Sequence, residues 1–156
     1  MDSMTNGLRH LPIGSTASVG FVTNLVWEVV QCPFLYDMTD WGFWKGAIYM
    51  AGAIVGDVFI VLGVVGISWL LQGGSTTALL VVPGWLTTIT VGLVAGILLE
   101  WLARVLNLWT YSALMPTVSV VGEDVGLAPA MQIAFLPALS LFLAVRFQDR
   151  ATGEQP

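Results

Sequence analysis

Hydrophobic residues fill this chain in long blocks, and polar residues gather between them. Apolar runs extend over roughly 17–37, 46–71, 85–108 and 127–147. Each reaches the ~20 residues that a helix needs to cross the hydrocarbon core of a bilayer. The pattern predicts an all-α fold, a polytopic membrane protein built as a four-transmembrane-helix bundle, with 1–156 as a single membrane domain. Residues 37–45 mix aromatics with charges, as a membrane–water interface does, and 72–77 read as a flexible turn. Pro33 falls in the last turns of the first span as a predicted kink. Pro83 and Gly84 interrupt the third run, so the helix is set to begin near Trp85, with 78–82 as an interfacial or re-entrant lead-in. Residues 109–125 form the longest loop, and the fourth span carries Pro129 near its start and Pro137 inside. The polar stretch 1–16 is expected to be a mobile tail. It is too polar for a cleaved signal peptide, whose apolar core would also have to contain Glu28.

Polar residues inside the apolar runs change the picture most. Asn24, Glu28 and Gln31 are spaced i, i+4, i+7 and share one helix face. An ionisable group at bilayer depth costs about 2.5–3.5 kcal/mol and normally faces a bundle interior or a wet cavity. By depth, Glu28 and Asp57 fall near the middle, while Gln31, Glu100, Arg104 and Gln132 fall in the outer halves of their spans. The inner halves of the second, third and fourth spans are almost purely apolar. A pocket open to the outer side or the outer leaflet follows.

The charges in that zone do not balance. Glu28, Asp57 and Glu100 face one base, Arg104, which at i+4 from Glu100 can pair with it on the same helix. At least one of Glu28 and Asp57 is therefore expected to hold a proton at neutral pH. These two are the candidate catalytic groups; Asn24, Trp27, Gln31, Glu100, Arg104 and Gln132 are the candidate substrate-binding set. The bland alternatives stand beside this. The three amides suit interhelical glue better than ligand contacts, and Glu100–Arg104 suits a structural ion pair as well as a site. Cys32 reads as a small packing residue, and the glycine pairs Gly52/Gly56 and Gly92/Gly96 as helix-packing devices.

Composition narrows the classes further. With 56% hydrophobic and only 10% charged residues, a soluble domain is excluded. Five Lys and Arg form no basic patch, which argues against nucleic acid. The single cysteine excludes an internal disulfide and a thiolate metal cluster, and the single histidine, His10, lies in the tail. No metal site and no cofactor are expected. Arg9, Arg146 and Arg150 in the tails outnumber Lys45 and Arg104 on the other side. Both termini are therefore expected in the cytoplasm, the membrane being the cell inner membrane.

The string Asn24-x-x-Trp27-Glu28-x-x-Gln31-x-Pro33-x-x-Tyr36 carries two resemblances. Its Asn-x-x-Trp-Glu core is similar to a motif of the integral-membrane terpene cyclases, which implies Glu28 as the acid that starts carbocation chemistry. Glu-x-x-Gln-x-Pro resembles, with one residue less spacing, a helix of the sigma-2 receptor and emopamil-binding protein superfamily, small helical proteins that bind or isomerise sterols. The chain also resembles small bacterial membrane proteins, a likeness that implies no function. The leading expectation is a pocket, among membrane lipids, that binds or acid-catalytically converts a lipophilic small molecule: an isoprenoid, a sterol-like lipid or a quinone. Protonated Glu28 would donate, Asp57 and the amides would orient the substrate, and Trp27 would offer a π face. The alternatives are a proton- or cation-coupled transporter acting as a homo-oligomer, and an accessory subunit whose acids meet cations from partner subunits.

Overall fold

The structure, a computed structural model, describes residues 10–38 and 40–152. It contains four long helices: α1 (Ile13–Leu35), α2 (Phe43–Leu71), α4 (Val82–Val105) and α5 (Leu127–Thr152). A single-turn helix, α3 (Thr76–Leu79), precedes α4, and a hairpin of β1 (Thr117–Val120) and β2 (Glu123–Gly126) precedes α5. All four long helices are long and apolar enough to cross a membrane, so the chain is an integral membrane protein with an all-α, four-helix-bundle fold.

The helices are not equivalent. Over its most apolar stretch α5 is 67% buried, against 22%, 28% and 22% for α1, α2 and α4. α5 is the post around which the others stand. Ala130, Ala134 and Ala138, four residues apart, keep one of its faces thin and are all buried. Gly92 and Gly96 of α4 close onto that face: a Cβ at Gly92 would lie 2.3 Å from the Ile133 carbonyl oxygen. The second glycine pair behaves differently. Gly52 and Gly56 of α2 face open space within this chain.

Gln148 donates to Ser15 at 2.9 Å, so the start of α1 and the finish of α5 meet at one end of the bundle. That tail end is closed by a dry core of Val65, Leu79, Leu141 and Val145, with Leu11, Trp69 and Leu80 packed on it. The α1–α2 connection and the hairpin occupy the opposite end. There the last carbonyls of α1 find partners in the loop after α4: Ser112 N–H reaches Leu35 O at 3.0 Å and the Ser112 hydroxyl reaches Phe34 O at 2.5 Å. An isolated bridge pairs Tyr36 with Tyr111.

Several boundaries differ from the pattern-based expectation. α1 begins at Ile13 rather than 17, directly after Pro12, and stops at Leu35 because Tyr36 turns extended. α2 takes in Trp44 and Lys45. Pro83 starts α4 instead of interrupting it, since a proline in the first turn lacks only an N–H that would be unpaired anyway. The lead-in is α3, folded back so closely that a Cβ at Gly84 would lie 2.1 Å from the Ala78 carbonyl. α4 ends at Val105, before Asn107 in the left-handed region (φ +54°). α5 continues to Thr152, beyond 147. The 109–125 loop contains the hairpin, whose turn residues Val121 and Gly122 both have positive φ, as a type I′ turn requires. Of the polar N-terminal stretch, residues 1–9 lie outside the described residues.

Candidate functional site

The site begins with the face that α1 turns inward. Asn24, Glu28 and Gln31 are 2%, 5% and 6% exposed, although Leu25, Val26, Val29 and Val30 between them face outward. They meet Gln132 of α5, itself buried. The Gln132 amide nitrogen lies 2.9 Å from Asn24 Oδ1, 3.0 Å from Glu28 Oε1 and 2.9 Å from Asp57 Oδ2 on α2. One side chain thus ties three helices. Gln31 Nε2 donates to Gln132 Oε1 at 2.8 Å and to Glu28 Oε1 at 3.1 Å. Cys32 Sγ donates to Glu28 Oε2 at 2.8 Å, so this thiol is a ligand of the carboxylate as well as a packing group. The Asp57 and Glu28 carboxyl groups thus meet at the same Gln132 nitrogen. The two acids form one pair around a shared donor.

Glu100 and Arg104 do not pair as the i, i+4 spacing predicted. Glu100 is buried and accepts the hydroxyl of Tyr111. Arg104 instead donates to the Trp109 carbonyl at 2.9 Å and lies 5.0 Å above the Tyr111 ring. Both follow from the chain reversal after Asn107, which returns 109–111 over the end of α4 and supplies the Tyr111 hydroxyl and the Trp109 carbonyl as partners. The hairpin then fixes Tyr111 in place: Gly126 N–H donates to its hydroxyl at 3.0 Å. A Cβ on Gly126 would come within 3.1 Å of that hydroxyl, so only glycine fits comfortably. Burial pushes the phenols of Tyr36 and Tyr111 well above their ordinary range, so both remain proton donors.

Between α1, α2, α4 and α5 lies a cavity of about 340 Å³. Five of the eight sequence-derived candidates line it: Glu28, Gln31, Asp57, Glu100 and Gln132. The other three do not. Asn24 sits behind Gln132, Arg104 faces the loop, and Trp27 serves through its indole N–H, which donates to Gln31 Oε1 at 2.8 Å. Trp27 is thus a support for an amide and no wall for a ligand. Tyr36 and Trp109, at 6.1 Å edge to face, line the cavity near the hairpin end. Their contribution was hidden in the sequence because interfacial aromatics look alike whether they face headgroups or a cavity. Ala53 and Gly56 of α2 and Leu99, Leu102 and Leu106 of α4 line the cavity and are themselves exposed, as are Asp37, Leu108 and Thr110 at the hairpin end. Exposed lining residues on both α2 and α4 leave the cavity incompletely walled there. Among the described residues no three His, Cys, Asp or Glu side chains are grouped to hold a metal ion.

No protein-family model, no curated protein and no solved structure matches this chain.

Proposed function

We propose that the protein binds, and through its carboxyl pair acid-catalytically converts, a lipophilic small molecule such as an isoprenoid, a sterol-like lipid or a quinone. The observation that carries this reading is the shape and chemistry of the cavity. It is mostly apolar, holds a carboxyl pair, and has exposed lining residues on α2 and α4, through which we infer that it opens toward the region lipid tails occupy. A volume of about 340 Å³ lies within the usual range for small-molecule pockets, which combine apolar walls with a few convergent polar groups. A general acid kept neutral by its surroundings needs no cofactor to protonate a C=C or C=O bond. The likeness of Asn24, Trp27 and Glu28 to the cyclase motif points the same way.

The dry core at the tail end supports a dead-end pocket rather than a pathway across the membrane, and so favours this reading over a transporter. We further infer that the membrane is the cell inner membrane and that both termini, with Arg146 and Arg150 nearby, lie in the cytoplasm. The test is mass spectrometry of lipids that co-purify with the unmutated protein and with Glu28→Gln and Asp57→Asn. A defined lipophile held near one to one, and lost or chemically altered in the variants, is the expected result. Bulk lipid alone, identical in all three samples, would overturn the reading.

A further inference from the structure

We infer that the carboxyl pair is asymmetric at rest: Asp57 carries the proton, Glu28 is the carboxylate, and a one-way chain of side-chain amides sets this division. The chain runs from Trp27 through Gln31, Gln132 and Asn24 to the backbone carbonyl of Gly20, with separations of 2.8, 2.8, 2.9 and 2.8 Å. An amide alone could be turned either way round. Here neither end of the chain can reverse. The Trp27 indole N–H only donates, and the Gly20 carbonyl only accepts. Gly20 therefore faces the Asn24 nitrogen, which leaves the Asn24 oxygen for Gln132. Gln132 must then present its nitrogen to Asn24 and its oxygen to Gln31, and Gln31 presents its oxygen to Trp27. Read from either end, the order is the same.

This polarity aims both glutamine nitrogens at the carboxyl pair. Glu28 consequently receives Gln31 and Gln132 on Oε1 and the Cys32 thiol on Oε2. Three donors on two oxygens are what an ionised carboxylate takes, and hydrogen bonds to the charged form favour it. Among the described residues, Asp57 receives only Gln132. The hydrogens also run short. Gln31 and Gln132 bring two each and Cys32 brings one, while these groups make six contacts. The shortfall lies on Gln132, whose two hydrogens face three oxygens, so Asp57 is served at most by a shared one. With the proton on Asp57, its hydroxyl faces the Glu28 carboxylate, the two groups meeting at the same Gln132 nitrogen.

The inference deepens the proposed function and rests on it for its chemical meaning. Asp57 becomes the group able to give a proton to a molecule in the cavity, and Glu28 the group able to take one, which reverses the role expected for Glu28 from sequence. Gln132 is a positioning residue that acts through both.

The division itself is testable without any ligand. Infrared spectra of the purified protein at neutral pH should show a protonated-carboxyl C=O band. That band should shift when aspartate alone is labelled with 13C at its side-chain carboxyl, vanish in Asp57→Asn and persist in Glu28→Gln. The labelling needs no variant, so it stands even if a substitution unfolds the protein. A band that moves with glutamate label and is lost in Glu28→Gln would overturn the assignment, as would the lack of any protonated-carboxyl band. In Gln132→Leu, glutamate label should begin to move part of the band; a label response unchanged from the unmutated protein would remove Gln132 from the account. Failure here leaves lipophile retention untouched, and a missing lipophile leaves the band assignment untouched.

Discussion

The two ends of the bundle treat their most deeply buried hydroxyls and amides differently. At the tail end, Ser68 and Thr88 return their hydroxyls to carbonyls of their own helices, Val64 O at 2.7 Å and Gly84 O at 3.0 Å. Such bonds form in any isolated helix and specify no neighbour. At the hairpin end, Gln31, Gln132 and Glu28 are satisfied across helices, and the satisfaction fails if any one helix moves. The tail end is a seal whose stability comes from apolar packing. The hairpin end accepts the cost of buried carboxyls and returns a structured cavity. A protein that needed only to stand in a bilayer would have no reason to differ so between its ends.

Substitutions that separate packing from site chemistry sharpen the contrast. The largest effect on stability is expected in the seal, where Leu141→Ala should cost about 2–5 kcal/mol through the cavity it leaves. Unfolding in mild detergent should record that loss while lipophile retention in the folded fraction stays unchanged. Gln132→Leu should do the reverse. It leaves buried acceptors unpaired, at about 1–3 kcal/mol, yet its main readout is loss of retained lipophile. If the two variants proved indistinguishable in both assays, the comparison would fail.

A smaller effect is expected from Tyr111→Phe, which takes the donor from Glu100 and an acceptor from Gly126. A loss of about 1 kcal/mol in thermal unfolding, with retention weakened but present, is the expected pair of results. Smallest of all is Val121→Asn. A β-branched residue at φ +48° is strained, and asparagine tolerates that region. The exchange should stabilise the hairpin by up to about 1 kcal/mol without touching retention, as amide hydrogen exchange across β1 and β2 would report.

Much of this was legible beforehand, for identifiable reasons. Long apolar blocks can hardly be anything but membrane helices, and the i, i+4, i+7 spacing of Asn24, Glu28 and Gln31 survives intact because a helix preserves local geometry. Depth along the spans was enough to bring Asp57, Glu100 and Gln132 to the same zone. What local spacing could not show was competition from distant chain. Arg104 looked like a partner for Glu100 until the 109–111 segment supplied Tyr111 and the Trp109 carbonyl. Trp27 looked like a wall because its ring is large, whereas its N–H decides its place. Likewise the glycine pairs read alike, yet Gly92 and Gly96 clasp α5 and Gly52 and Gly56 clasp nothing within the chain. Spacing reports that a helix can be approached, and only topology reports by what.

The lateral opening offers the most direct test of the central claim. Gly56 and Gly63 lie on the same helix and both have open space where a side chain would go, but only Gly56 lines the cavity. The measurement is the lipophile retained per protein by Gly56→Trp and Gly63→Trp, beside the unmutated chain. The account predicts that Gly56→Trp fills the opening and loses the lipophile while Gly63→Trp keeps it. Equal retention in both variants would contradict a ligand site entered between α2 and α4.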